Sequence, residues 1–206
     1  MKFFKSIFVT LQLKYEQLLS KIVILNLVVI GVVGLERTTL TLHEVLRHSN
    51  HDFLNHLHLI RMNLDLNRVD EAKQIINDLS ENCKMYSMTN KLGLTKTALW
   101  IQLFKWRYPA IMLQLHCDIE SPVEQIWDET IEQYLEKTII HLYEKIDPFE
   151  EQVMAFRITS KEDHFSMNVH LKGHWEAEEI KMDSKLHVQL HEWSDRSCRF
   201  EISLKE

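Results

Sequence analysis

The chain has 206 residues, of which 45% are hydrophobic and 26% charged, with only four glycines and three prolines. This composition is typical of a folded globular protein and excludes collagen-like, low-complexity and wholly disordered chains. The net charge of −6 argues against a broad basic surface, so we expect no nucleic-acid partner. The three cysteines are odd in number and far apart, which is typical of reduced thiols in a cytoplasmic protein.

The positions of the glycines restrict the chemistry. Two of the four lie in the first 36 residues, which leaves Gly93 and Gly173 for the rest of the chain. Walker loops, dinucleotide fingerprints and kinase glycine-rich lids each need clustered glycines so that the backbone can approach phosphate. We therefore expect no bound nucleotide and no intrinsic cofactor.

The N-terminal segment has a different composition from the remainder. Residues 22–35 are apolar apart from Asn26, and lysines precede them. A transmembrane helix needs roughly 20 apolar residues, so this run is short. A peripheral helix, a helix packed on the protein and a removed leader are three open alternatives. We expect residues 1–36 to be a separate segment of a cytoplasmic protein that contacts a membrane surface through residues 18–35.

Residues 37–90 are predicted to form a helical hairpin. Thr41 and Glu44 have the spacing of a capping box. Apolar or small residues then follow the 3–4 spacing of one helical face: Leu42, Leu46, Ser49, Phe53, Leu57, Ile60 and Leu64. After a turn at residues 67–70, a second stripe consists of Ala72, Ile75, Ile76, Leu79, Cys83 and Tyr86. One hairpin cannot cover both stripes, so we expect a homodimer with a four-helix bundle.

Residues 91–206 are predicted to form an α/β two-layer sandwich, which makes the whole chain α+β. A helix ends before Pro109, and residues 111–119 alternate as in a strand. Ser121, followed by Pro122 and Glu124, is predicted to cap a long helix that ends near residue 146. Further strands are predicted at residues 153–159, 165–171, 186–190 and 198–204.

The candidate chemistry lies on the first helix of the hairpin. At about 100° per residue, His51 projects about 180° from Leu42, on a polar face away from the apolar stripe. A solvated surface is the ordinary interpretation of such a face. However, His51 is followed directly by Asp52 and, one turn later, by Asn55. A neutral imidazole can attack phosphorus without a general base, and the phosphoramidate that forms can pass its phosphoryl group onward.

The segment HSNHDFLNHLHLIRMNL, residues 48–64, resembles the phosphoacceptor helix of the sporulation initiation phosphotransferase B family. These are histidine phosphotransferases of the phosphorelay in endospore-forming bacteria. The resemblance covers roughly residues 38–206, and its core is the sequence HD-x-x-N. It implies a protein built like a histidine kinase whose ATPase-like domain has lost nucleotide binding, and residues 1–36 depart from the family.

By this resemblance His51 is the phosphorylated residue, and it carries a phosphoryl group from the aspartate of one response regulator to a second regulator. We expect Asp52 to orient the imidazole and Asn55 to contact the partner. The regulator would supply Mg²⁺ and dock on residues one turn either side of His51, namely Arg47, His48 and His58.

Two other interpretations of this helix are open. His48 and His51 with Asp52 would make a weak metal site, because zinc on a helix prefers histidines at i and i+4. We therefore expect no resident metal. The second alternative is a non-catalytic, kinase-like dimer that binds or sequesters a response regulator without moving phosphate.

Overall fold

The computed structural model describes residues 40–147, 149–176 and 186–204. The helices are α1 to α4, the strands are β1 to β5, and two short 3₁₀ turns join them. In chain order the elements are α1 (Leu42–Asp65), α2 (Val69–Thr89), a 3₁₀ turn (Asn90–Leu92), α3 (Thr95–Arg107), β1 (Ile111–Ile119), a 3₁₀ turn (Gln125–Trp127), α4 (Asp128–Tyr143), β2 (Gln152–Lys161), β3 (His164–Lys172), β4 (His187–Trp193) and β5 (Ser197–Ser203).

The expected localisation, cytoplasmic with membrane contact, has to be corrected. Within the described ranges no helix has the length and apolar character needed to cross a membrane. Residues 18–35, on which the expected contact depends, lie outside the described residues.

The capping box at the start of α1 is confirmed. The Thr41 hydroxyl accepts from the backbone N–H of Glu44 at 3.2 Å, and the Glu44 carboxylate accepts from the Thr41 N–H at 2.8 Å. The two contacts satisfy N–H groups that have no partner inside the helix. The turn between α1 and α2 includes Asn67, whose φ of 56° is in the left-handed region. The predicted hairpin is therefore present.

The sheet has five strands in the order β1-β2-β3-β5-β4. The pair β1 and β2 is parallel, and the remaining pairs are antiparallel. Alternate residues of β2, β3 and β5 are buried, whereas their neighbours are partly or fully exposed, except that Ser166 of β3 is buried as well. One face of the sheet therefore packs on helices while the other meets solvent. The predicted strands are confirmed: β1 has the predicted ends, and the other four differ by one to three residues at their ends.

A single apolar core lies between the sheet and helices α3 and α4. It includes Ile101 and Phe104 of α3, Leu135 of α4, and Phe156 and Val169 of the sheet, each at most 1% exposed. The predicted fold class, a helical hairpin followed by an α/β two-layer sandwich, is confirmed.

The predicted start of α4 is wrong. Ser121 caps no helix. Its backbone N–H and that of Glu120 donate to the Ser160 carbonyl of β2 and so continue the pairing of β1 with β2 beyond Ile119. Val123 is buried, and its N–H donates to the Leu92 carbonyl at 2.8 Å. These tertiary contacts hold the segment out of a helix until Asp128.

Asp128 links α4 to the first turn of α3. Its carboxylate accepts from the backbone N–H groups of Lys96 and Thr97, each at 2.8 Å, and from the Thr97 hydroxyl at 2.9 Å. Asp128 is only 4% exposed. The cap of α3 is thus supplied by another helix, and it satisfies N–H groups at the positive end of the helix dipole.

We predict that Asp128→Ala destabilises the protein by about 1–3 kcal/mol, because it leaves buried donors without an acceptor. Urea unfolding followed by circular dichroism measures the change. The matched control is Glu129→Ala, which removes the exposed 3.1 Å pair of Glu129 with Lys96 and should change stability by less than about 0.5 kcal/mol. Equal effects of the two variants would show that the cap is not important.

Candidate functional site

Helix α1 has three faces with different surroundings. The His51 face consists of His51 with the exposed side chains of Arg47, Asn55 and His58. At 100° per residue, these three side chains project within about 40° of the direction of His51. The outward placement of His51 is as predicted, since its side chain is 72% exposed.

The second face, here called the inner face, lies about 60–120° from His51 by the same helical geometry and packs on the rest of the chain. Its members are all at least partly buried: Val45, His48, Asp52 and Asn63. The third face, here called the apolar face, lies about 200–240° from His51. Its members remain 44–63% exposed in the single chain: Leu46, Phe53, Leu57 and Leu64.

Asn55 makes the shortest polar contact to the His51 ring. Its side-chain Nδ2 lies 3.2 Å from His51 Nδ1, one helical turn away. With Nδ2 as donor, Nδ1 is the acceptor nitrogen. In the described part of the chain Nε2 has no hydrogen-bond partner, so it is the ring nitrogen open to an incoming group.

Asp52 is bound mainly by α3. Its Oδ2 accepts from Lys105 Nζ at 2.7 Å and from Trp106 Nε1 at 3.2 Å, whereas its Oδ1 lies 3.7 Å from His51 Nδ1. Burial acts to raise the pKa of Asp52, but the hydrogen bond and charge of Lys105, with smaller effects of Trp106 and His51, outweigh it and lower the pKa. An ionised carboxylate bound in this way is a poor proton acceptor. That Asp52 orients the imidazole stays a prediction.

Of the expected docking residues, His48 has a different setting from Arg47 and His58. The His48 ring stacks on Trp106, with ring centroids 6.3 Å apart and planes at 24°. Arg47 and His58 are exposed. The structure thus places His48 beside α3 and leaves Arg47 and His58 on the open surface next to His51.

Lys105 and Trp106 were missed by the sequence reasoning. They lie more than 50 positions from Asp52 along the chain, so no local pattern connects them. Both residues lie near the C-terminal end of the helix predicted before Pro109 and outside its apolar stripe. This was the one local feature that could have indicated them.

Elsewhere, the described residues contain a cluster with metal-ligand chemistry. Asp147, Glu150 and His174 each place a ligand atom within 4.8 Å of the others. However, Glu150 is bound by the Arg196 guanidinium at 3.1 and 3.4 Å, and Asp147 accepts from the Phe149 N–H and contacts His174. These ligands already have protein partners.

A groove between α3 and α4 has mixed charge. Lys96 in this groove pairs with Glu129 at 3.1 Å, and Arg107 pairs with Glu136. Because its cations already have acidic partners, the groove offers no concentrated positive charge for a phosphate group.

Comparison with known proteins gives two findings. Residues 35–92 match the family described as "Sensor_kinase_SpoOB-type, alpha-helical domain". The histidine kinase AdeS of Acinetobacter baumannii has a similar structure, with a TM-score of 0.38 and 12% sequence identity, over 75% of this chain and 96% of that one. No curated protein matches the chain. The helical hairpin is therefore similar to the helical domain of SpoOB-type sensor kinases.

Proposed function

We propose that the protein is a histidine phosphotransferase of a phosphorelay that acts in the initiation of sporulation. His51 would take a phosphoryl group from the aspartate of one response regulator and give it to a second. The observation that carries the proposal is an exposed His51, with Nδ1 in contact with Asn55, on a hairpin similar to the SpoOB-type helical domain.

In the first step Nε2 attacks the phosphorus of the regulator's aspartyl phosphate. A P–N bond forms, the P–O bond breaks, and the carboxylate leaves with the electron pair. Attack by Nε2 needs the tautomer with the proton on Nδ1. After rotation of the Asn55 amide, the Nδ1–H can donate a hydrogen bond to the amide oxygen, which stabilises this tautomer. The proton stays on Nδ1, and the reverse sequence delivers the phosphoryl group to the second regulator.

This transfer needs no base on the protein, because the attacking nitrogen is neutral. It is therefore compatible with an Asp52 that is bound to Lys105. The developing charge on the phosphoryl oxygens and the leaving carboxylate needs a divalent cation. We propose that the regulators bring Mg²⁺ with them.

We further propose that the protein is a homodimer with a four-helix bundle, in which the apolar face of α1 is buried at the interface between the two copies. On α2, Ile76 is 47% exposed and Cys83 is also exposed. Most of the large apolar side chains that are exposed in the described chain belong to this hairpin. A second copy offers the same stripes in return, as a two-fold interface requires.

The first prediction concerns the nucleophile. Receiver domains are phosphorylated with radiolabelled acetyl phosphate, purified, and mixed with the protein, and the label is followed on both chains. His51→Ala should abolish transfer while leaving circular dichroism unchanged, because the side chain is exposed. The matched control His48→Ala should retain most transfer.

Transfer that is lost in His48→Ala and kept in His51→Ala would contradict the assignment. Stoichiometric binding of a regulator with no movement of label would instead favour the non-catalytic module.

The second prediction concerns nucleotide. ATP at physiological concentration should neither label the protein nor raise its melting temperature, since a ligand that binds the native state shifts stability by mass action. Differential scanning fluorimetry and an autoradiograph measure the two effects. ATP-dependent label on His51 would make the protein a kinase and overturn the proposal.

The third prediction concerns the dimer. Leu57→Glu would bury an unpaired carboxylate in the bundle, at a cost of several kcal/mol, and should yield monomers by light scattering. Leu99→Glu is the matched control, because Leu99 is similarly exposed at 53% but lies on α3. It should leave the mass unchanged. A Leu57→Glu protein that remains dimeric would show that the apolar face is not the interface.

A further inference from the structure

The residue beside the candidate nucleophile is tied to the α/β layer rather than to the hairpin. Asp52 accepts from Lys105 Nζ at 2.7 Å and from Trp106 Nε1 at 3.2 Å. Lys105 Nζ also lies 4.7 Å from the centre of the Trp106 ring, a cation–π distance. The ammonium group is therefore held by both a carboxylate and an aromatic face.

The C-terminal end of α3, which carries these groups, is anchored to α4. Glu136 of α4 is 8% exposed, and its carboxylate accepts from Trp100 Nε1 at 2.6 Å and from the Tyr108 hydroxyl at 2.7 Å. Arg107 pairs with the same carboxylate. With three donors on one buried carboxylate, the helix that presents Lys105 has a fixed position relative to the core.

The charge of Asp52 matters for any phosphoryl group that arrives at His51. Asp52 Oδ1 lies 3.7 Å from Nδ1 of the ring. An incoming phosphoryl group is anionic, and the carboxylate of the neighbouring Asp52, whose side chain is 34% exposed, repels it. The Lys105 ammonium, 2.7 Å from the other carboxylate oxygen, opposes this repulsion with its positive charge.

We propose that Lys105 is a positioning residue for phosphotransfer at His51, which neutralises Asp52 and fixes it against α3. This inference rests on the proposed function of His51. It gives the α/β layer a direct part in the chemistry of the hairpin, without any nucleotide. Trp106 supports Lys105 by donating to the same oxygen and by providing the face on which the ammonium rests.

The test uses phosphoramidate as the phosphoryl donor, so that no regulator is needed. The ring nitrogen forms a bond to phosphorus, and the P–N bond of the N-protonated form of phosphoramidate breaks. Ammonia leaves with the electron pair and with the three hydrogens that its nitrogen already carries. Label at His51 and at His58 is quantified in the same full-length protein by mass spectrometry under alkaline conditions. His58 is an exposed histidine on the same face and serves as the internal control.

Lys105→Met should lower the initial rate at His51 relative to His58 by about tenfold, because the charge of Asp52 is then unbalanced. Lys105→Arg keeps the charge and should stay within about twofold of the unmodified protein. The double variant Asp52→Asn with Lys105→Met has neither charge and should recover to the rate of Asp52→Asn alone. Such recovery is the signature of electrostatic coupling in a double-mutant cycle.

The proposal is overturned if Lys105→Met leaves the ratio unchanged, if the double variant stays as slow as Lys105→Met, or if His58 is labelled and His51 is not. The second of these results would mean that Lys105 acts only by packing. If the variants follow the expected order but no phosphorylated receiver domain exchanges with His51, the proposed function fails and the role of Lys105 stands. If receiver domains exchange phosphate with His51 and the variants do not differ in rate, the proposed function stands and the role of Lys105 fails.

Discussion

The contact between Asp52 and the pair Lys105 and Trp106 is where the helical hairpin meets the α/β layer beside the candidate nucleophile. Asp52 is on the inner face of α1, and its neighbour His51 is about 100° away on the open face. Holding one of these residues against α3 thus turns the other outward. The exposure of His51 follows from this contact as much as from its own polarity.

The same rotation of α1 determines which surface is left for a partner. With His48 and Asp52 of the inner face on α3 and the His51 face in solvent, none of the described residues covers the apolar face. Exposed apolar area of this kind usually marks an interface. The proposed dimer would cover it while leaving His51 and Asn55 accessible, because these lie on the opposite side of the helix.

Local patterns were sufficient to predict much of the fold. The capping box of Thr41 and Glu44 and the alternation in β1, β2, β3 and β5 depend on neighbours in sequence, and all appear as expected. The predicted cap at Ser121 is wrong because its backbone N–H donates to the Ser160 carbonyl of β2, whereas Asp128, seven positions later, caps a different helix. Tertiary contacts decide where this helix begins, and local helix propensity carries no information about them.

The candidate site divides in the same way. The exposure of His51 depends on helical spacing, so it could be predicted from the sequence. The sequence placed Asn55 on the same face but assigned it to the partner, and its contact with His51 was not predicted. The partners of Asp52 come from another element, and so does the ring on which His48 stacks. Consequently the sequence suggested which residues surround His51, but not that two of them are held by α3.

The central claim is that His51 carries a phosphoryl group received from a response regulator. The most direct measurement is tandem mass spectrometry of the protein after mixing with a phosphorylated receiver domain, with digestion and separation at alkaline pH, where phosphohistidine survives. We expect phosphate on His51 and an equivalent loss from the receiver's aspartate. Phosphate on His48, His56 or His58 instead, or on no histidine while the receiver loses none, would contradict it.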